Sequence, residues 1–168
     1  MSTHTWQEFN HLMLKKLQFI PIEKEHCTLY MNPSKPSSGF FLHYHRPSYY
    51  EFIIGDYTIP SDFEIIFHQS ETVMRFGTVF QGTSHFKLNH EAISAFTPSS
   101  FFVIEKEHSG TQVWHAHQHL HGAEMIIHEA YLKEVLNPFL SQPIDLQHFK
   151  NNFTYNYLPI EIAKIVNH

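Results

Sequence analysis

Four histidines, His115, His117, His119 and His121, fall at every second position of the stretch Val113–His128. On an extended strand, alternate residues share one face and lie roughly 6.8 Å apart, so two neighbours of such a ladder can chelate one metal ion. All four cannot, because the first and last would stand roughly 20 Å apart at the same rise. A second pair, His43 and His45, has the same spacing. The metal candidates are therefore His43, His45, His119 and His121, and an ion would need ligands from more than one strand. A plainer reading competes. The chain holds 16 histidines, spread widely, and Ala116–Gln118 can form a turn that breaks the shared face.

If the strand is regular from His119 onward, His119 and His121 share a face with Ala123, Met125 and Ile127. That face is apolar beyond its polar start. It is expected to point inward, with the two histidines at the mouth of a barrel, where small molecules bind. The other face carries Leu120, Gly122, Glu124 and Ile126. Glu124 among them reads as an edge, paired or partner-contacting carboxylate. Arg75 is a rare positive charge in a strand-like run. It reads either as half of a cross-strand ion pair or as a clamp for a ligand carboxylate or phosphate. The expected ligand-binding residues are Arg75, Trp114, His119, His121 and Met125. Other chemistry is thin: there is no Gly-x-Ser-x-Gly and no phosphate loop. Cys27 and His26 are sequence neighbours, which face opposite ways on a strand.

The elements that must hold these residues are mostly strands. Thr5 and Glu8 fit a capping box, and Trp6, Phe9, Met13 and Leu17 recur at helical spacing, which predicts a helix through about Gln18. From His26 to about Ile127 the pattern changes to short β-branched and aromatic runs. They are residues 27–31, 40–44, 50–57, 63–67, 73–80, 85–88, 92–96, 101–105 and 122–128, separated by Pro, Ser, Asn and Asp turns. Many short strands at regular intervals predict a sandwich or barrel. Tyr131, Leu132, Val135 and Leu136 then give a helix ending near Pro138, and residues 141–145 a loop. Leu158–Val166 reads as the start of a further helix, with Pro159 in its first turn. The natural polypeptide is expected to continue past it, or this end to dock on something.

Composition narrows the function classes. A chain of 168 residues with 42% hydrophobic and 16% charged residues suits one globular domain with a core. Aromatics at 15% favour pleated faces that large rings can fill. With a net charge of −5 and no basic cluster, this polypeptide is not expected to grip nucleic acid by itself. The single cysteine excludes an internal disulfide and agrees with a reducing cytoplasm. No signal peptide or membrane-spanning run is read, so the expected location is cytoplasmic.

Gly39, His43, His45, Glu51 and Gly55 loosely follow the first cupin motif. More broadly, the chain resembles the N-terminal regulatory domain of an AraC-type transcription regulator, of the PchR-like branch. Four places carry the resemblance: Phe63–Phe67 followed by Arg75–Gly77, Gln81–Phe86, Thr97–Phe101, and Trp114 through Ile127 with Tyr131 and Leu132. The closing Leu158–Ala163 is similar to the segment that leads into a helix-turn-helix half. The resemblance implies a cupin-like β-barrel (a double-stranded β-helix) with an N-terminal helix and C-terminal helices. It implies residues 1–140 as the sensor barrel and 141–168 as a linker and helix start. It further implies a small-molecule effector, a homodimer, and DNA contact only through a C-terminal region. No cofactor is expected. The rival readings are a metal-dependent cupin enzyme of dioxygenase or isomerase type, a dimerisation module with a filled barrel, and a histidine-based pH sensor.

Overall fold

The described residues begin with the helix that the spacing of Phe9, Met13 and Leu17 predicts, while Thr5 of the expected capping box lies outside them. In the computed structural model, which describes residues 6–88, 91–95, 97–148 and 153–157, α1 spans Trp6–Lys16. Phe9, Met13 and Leu14 of its inner stripe are buried. Gln18 takes a left-handed φ of 60° and the Phe19 amide reaches back to the Leu14 carbonyl (2.9 Å), which closes the helix end.

Among the described residues twelve strands follow: β1 (Ile20–Glu23), β2 (Thr28–Met31), β3 (Gly39–Arg46), β4 (Tyr50–Thr58), β5 (Phe63–Gln69), β6 (Val73–Gln81), β7 (Ser84–Leu88), β8 (Glu91–Ala95), β9 (Ser99–Glu105), β10 (His108–Trp114), β11 (His119–His128) and β12 (Phe153–Tyr157). They form two antiparallel sheets, ordered β1-β2-β3-β4-β11-β6-β9-β12 and β5-β10-β7-β8. The pairings nest. β7 pairs β8, β6 pairs β9, β5 pairs β10 and β4 pairs β11. A long two-stranded ribbon has thus been wound over itself, with successive pairs falling in alternate sheets. That connectivity is a jelly roll, the double-stranded β-helix of a cupin-like barrel, one of the two architectures the strand pattern predicts and the one the resemblance implies.

Most predicted strands appear within a few residues of their expected ends. Three were not foreseen. β1 is short and contains Pro21. β10 is polar but pairs on both sides, with β5 and β7. β12 pairs with β9 at the edge of the large sheet. After β11 the chain forms a short helix α2 (Glu129–Tyr131), continued by a π turn (Leu132–Leu136) and a 3-10 turn (Asn137–Phe139). The stretch read as a linker, from residue 141, stays on the barrel as far as it is described: Leu146 is fully buried and β12 joins the sheet. The predicted helix at 158–166 lies outside the described residues.

Hydrophobic packing occurs on both faces of the large sheet. Between the sheets, Phe9 and Met13 of α1 meet Ile65, Phe67, Phe86 and Trp114, and a smaller group joins Ile53, Val73 and Ile126. On the outer face, Met74, Ile104 and Ile127 pack against Leu132 and Leu146. No helix among the described residues is long and apolar enough to cross a membrane.

This second layer should contribute to stability as a core does. Leu132 has no exposed surface, whereas Leu140 nearby is 42% exposed. Leu132→Ala is expected to cost about 2–5 kcal/mol by urea denaturation, and Leu140→Ala under about 0.5 kcal/mol. Equal costs would show that α2 and its continuation do not seal the sheet.

Candidate functional site

The sheet register decides which side chains reach the interior. Leu120, Gly122, Glu124 and Ile126 of β11 stand opposite Tyr57, Gly55, Ile53 and Glu51 of β4. Leu120 and Tyr57 pack with the α1 core, and Ile126 and Ile53 with Val73. These are the inner faces. The face expected to point inward, with His119, His121, Ala123, Met125 and Ile127, is therefore the outer one. Met125 and Ile127 pack against the cover formed by the C-terminal segment. Because both faces of β11 are apolar, alternation separated them without saying which was inside.

A cavity of about 170 Å³ lies within the barrel. Its wall includes Phe9, Asn10 and Met13 of α1, together with Phe41, Tyr57 and Phe101. Gly55 and Gly122, which face each other across β4 and β11, also line it and carry no side chain to fill it. Gln81, Ser84, Gln112 and His121 add polar groups. The Gln112 amide donates to the Ser84 hydroxyl at 2.9 Å. A filled barrel, one of the rival expectations, is not what forms.

The charged part of the wall is Arg75 and Glu124. Arg75 is buried and donates through Nε to Glu105 Oε2 at 2.7 Å, while its Nη1 lies 3.5 Å from Glu124 Oε1. In register Arg75 stands opposite Ile126 and Val103, so both carboxylates are diagonal neighbours on the inner face. Burial tends to lower the Arg75 pKa, but Glu105 and Glu124 more than offset it and the guanidinium stays charged. Glu124 keeps 24% of its side chain exposed. Burial raises its pKa, Arg75 draws it back, and the charges of Glu105 and Glu51 push it up again. Room for it comes from Gly77, its partner in register: a Cβ there would lie 2.3 Å from the Ala123 carbonyl oxygen and 3.0 Å from Glu124 Cβ. Tyr57 is pushed by burial to about 12, with the Trp114 indole N–H acting the other way.

A second polar group sits farther along the same face. Glu51 takes His43 Nε2 at 2.8 Å and His128 Nε2 at 3.4 Å, and His128 Nδ1 meets Glu71 at 2.7 Å. Burial pushes the Glu51 carboxyl up, but the bonds from His128 and His43 hold it well below the usual range. His128 is raised, first by its bond to Glu51.

The predicted site residues separate on this frame. Arg75 and His121 border the cavity. Arg75 is held in the cross-strand ion pair that was one of its two readings. Trp114 is 2% exposed and stacks on Phe63 at 4.7 Å, within the core beneath α1. Met125 is on the outer face. His119 is partly exposed and pairs with Asp56 at 2.9 Å. The histidine ladder is broken by a turn at Ala116 and His117, where His117 has φ 65°. His43 and His45 stack on each other at 4.9 Å, and His43 is engaged by Glu51. The four metal candidates do not converge, and among the described residues no three His, Cys, Asp or Glu side chains are grouped to hold an ion. Glu105 and His128 were missed as interior groups, Glu51 was named only within the cupin-like motif, and Glu124 was left undecided. The available signal was a buried-strand arginine that needs a carboxylate from a neighbouring strand.

No family model and no curated protein matches the chain. Solved structures similar to it include the cupin domain of Schizosaccharomyces pombe Cnp3, at 8% identity and TM-score 0.41, covering 61% of this chain and 73% of that one. Another is plu4264 from Photorhabdus luminescens, at 11% and 0.40, covering 83% and 96%. A third is KdgF from Halomonas sp., at 14% and 0.35, covering 54% and 79%. The strand connectivity, not these overlaps, establishes the barrel.

The Glu51–His128 contact predicts a pH signature. Glu51 is lowered from 4.5, so its stabilisation is present above that pH and is lost as pH falls through the lower folded value. His128 is raised from 6.5, so its stabilisation is complete below 6.5 and is lost as pH rises through the higher folded value. The stability difference between wild type and His128→Gln should be largest between about pH 4.5 and 6.5 and shrink as pH rises above that window through the raised folded value of His128. Urea titrations across that range test it; a difference that grows with alkalinity would contradict the pairing.

Proposed function

We propose that this chain is a small-molecule-sensing regulatory domain of AraC type, with the barrel cavity as the effector site. The observation that carries the reading is the composition of the cavity wall. It joins the inner face of the large sheet to Phe9, Asn10 and Met13 of a helix outside both sheets. A guest in that space touches α1 directly, so its binding free energy is shared with the docking of the helix. Filling the cavity then shifts the population of α1 arrangements, and through them whatever α1 and the C-terminal segment contact. The AraC resemblance supplies the rest of the proposal: dimerisation, and DNA reading by a C-terminal helix-turn-helix region.

The alternative, a metal-dependent cupin enzyme, needs several histidines converging in the barrel. His43, His45, His119 and His121 do not fit that demand, and no step is derived through a metal. Glu124, a carboxyl of raised pKa facing a cavity, has the character of a proton donor. That one observation keeps acid catalysis as a second reading.

The two are separated by a ligand-detected NMR screen of small organic compounds against untagged protein. Hits are expected to slow hydrogen exchange of the α1 amides, to be released unchanged, and to lose at least about tenfold in affinity in Leu120→Trp, which fills the cavity. Hits that bind Leu120→Trp equally well would remove the cavity reading. Chemical turnover of a hit, lost in Glu124→Gln, would favour the enzyme.

A further inference from the structure

The charged groups around the cavity do not balance. Among the described lining residues, Arg75 is a cation and Glu124 a carboxyl that burial pushes towards its neutral form. The Arg75 guanidinium is closest to Glu105, at 2.7 Å against 3.5 Å to Glu124, and Glu105 is itself 8% exposed. One cation thus serves two carboxylates, of which Glu124 is the one that lines the cavity. Glu51 adds negative charge nearby, offset by its contacts with His43 and His128.

This arrangement discriminates between guests by charge. A carboxylate or phosphate entering the cavity would meet Glu124 while Arg75 is already engaged, and little water would screen the repulsion. Arg75 therefore does not act as the anion clamp its residue type suggests. A cation would instead favour the ionised form of Glu124 and pair with it. The wall also offers ring surfaces from Phe41, Tyr57 and Phe101, which attract an ammonium over their faces and pack its hydrocarbon part. Gly55 and Gly122 line the cavity beside them, and Glu124 is one residue pair along β11 from Gly122.

We propose that the cavity takes a small organic cation, an alkyl- or arylalkylammonium, whose nitrogen pairs with the Glu124 carboxylate and whose apolar part lies against Phe41, Tyr57 and Phe101. The assignment rests on the reading of the cavity as a ligand site and adds the ligand class. Gln81, Ser84 and Gln112 supply further polar contacts for a guest with hydroxyl or amide groups.

The test uses three probes that share one ring and differ in charge: benzylammonium, benzyl alcohol and benzoate. They are titrated into the full chain near neutral pH by ligand-detected NMR. Benzylammonium is expected to bind at least about tenfold more tightly than benzyl alcohol, and benzoate more weakly than either. In Glu124→Gln the ammonium advantage should vanish while benzyl alcohol binds within about threefold of wild type, which also reports that the cavity is intact. Equal binding of alcohol and ammonium in wild type, or an advantage that survives Glu124→Gln, overturns the cation assignment and leaves the sensor reading standing. Binding by none of the three overturns both. Should Glu124→Gln fail to fold, the ranking of the three probes on wild type decides the matter, with benzoate tightest as the clearest refutation.

Discussion

A guanidinium enclosed in the middle of a β-barrel is the constraint that the rest of the interior answers. Moving such a charge out of water costs on the order of several kcal/mol unless it is paired and hydrogen-bonded. Arg75 of β6 meets that demand from the two strands that flank it, Glu105 of β9 and Glu124 of β11. The pairing also fixes register. A slip of β9 or β11 by one residue would carry its carboxylate to the outer face, into the layer around Leu132 and Leu146. The uncompensated charge would then stay behind. The three central strands are held in one alignment by a single side chain, and Gly77 makes the alignment possible by letting Glu124 approach.

The same alignment sets the character of the two faces. Inward, the strands present alternating large and absent side chains: Tyr57, Gly55 and Ile53 on β4 against Leu120, Gly122 and Glu124 on β11. The Tyr57 ring lies over Gly55, and both glycines line the cavity. Outward, they present Met74, Ile104, Met125 and Ile127, which the C-terminal segment covers. The large sheet is thus buried on both sides, and its inner face combines the ion pairs with the cavity. At the far end of that face, Glu51 binds His43 and His128 rather than leaving them for an ion.

Much of this was legible in the sequence. Short aromatic and β-branched runs broken by Pro, Ser and Asn turns marked the strands from β2 to β9, and the spacing of Phe9, Met13 and Leu17 marked α1. β10 escaped because His108–Trp114 is polar and contains Gly110; its strand character comes from being paired on both edges, with β5 and β7. The inner face of β11 was inverted for a related reason. Periodicity of two separates Met125 from Glu124 but does not say which of two apolar faces is inside when a helix covers the other. The histidine ladder invited a metal reading by its spacing alone, and the competing reading, a turn at Ala116–Gln118, is the one that forms. There the chain turns, and the ladder becomes a corner between β10 and β11. Ion pairs across strands depend on register, which a linear pattern does not contain.

What the barrel can signal follows from how little of its cavity wall is sheet alone. Phe9 lies in the core against Phe67 and Trp114, with ring centres 5.7 Å away from each, and it also borders the open space. Met13 does the same one turn later. These two side chains cannot respond to a guest without altering contacts that hold α1 in place. The strands have no such freedom, since each interior strand is hydrogen-bonded on both edges and the charged triad resists a change of register. A guest therefore acts on the least constrained element that it touches, and that element is the helix. The α1 side of the wall, Phe9, Asn10 and Met13, borders a space of about 170 Å³, so a guest that fills it meets the helix.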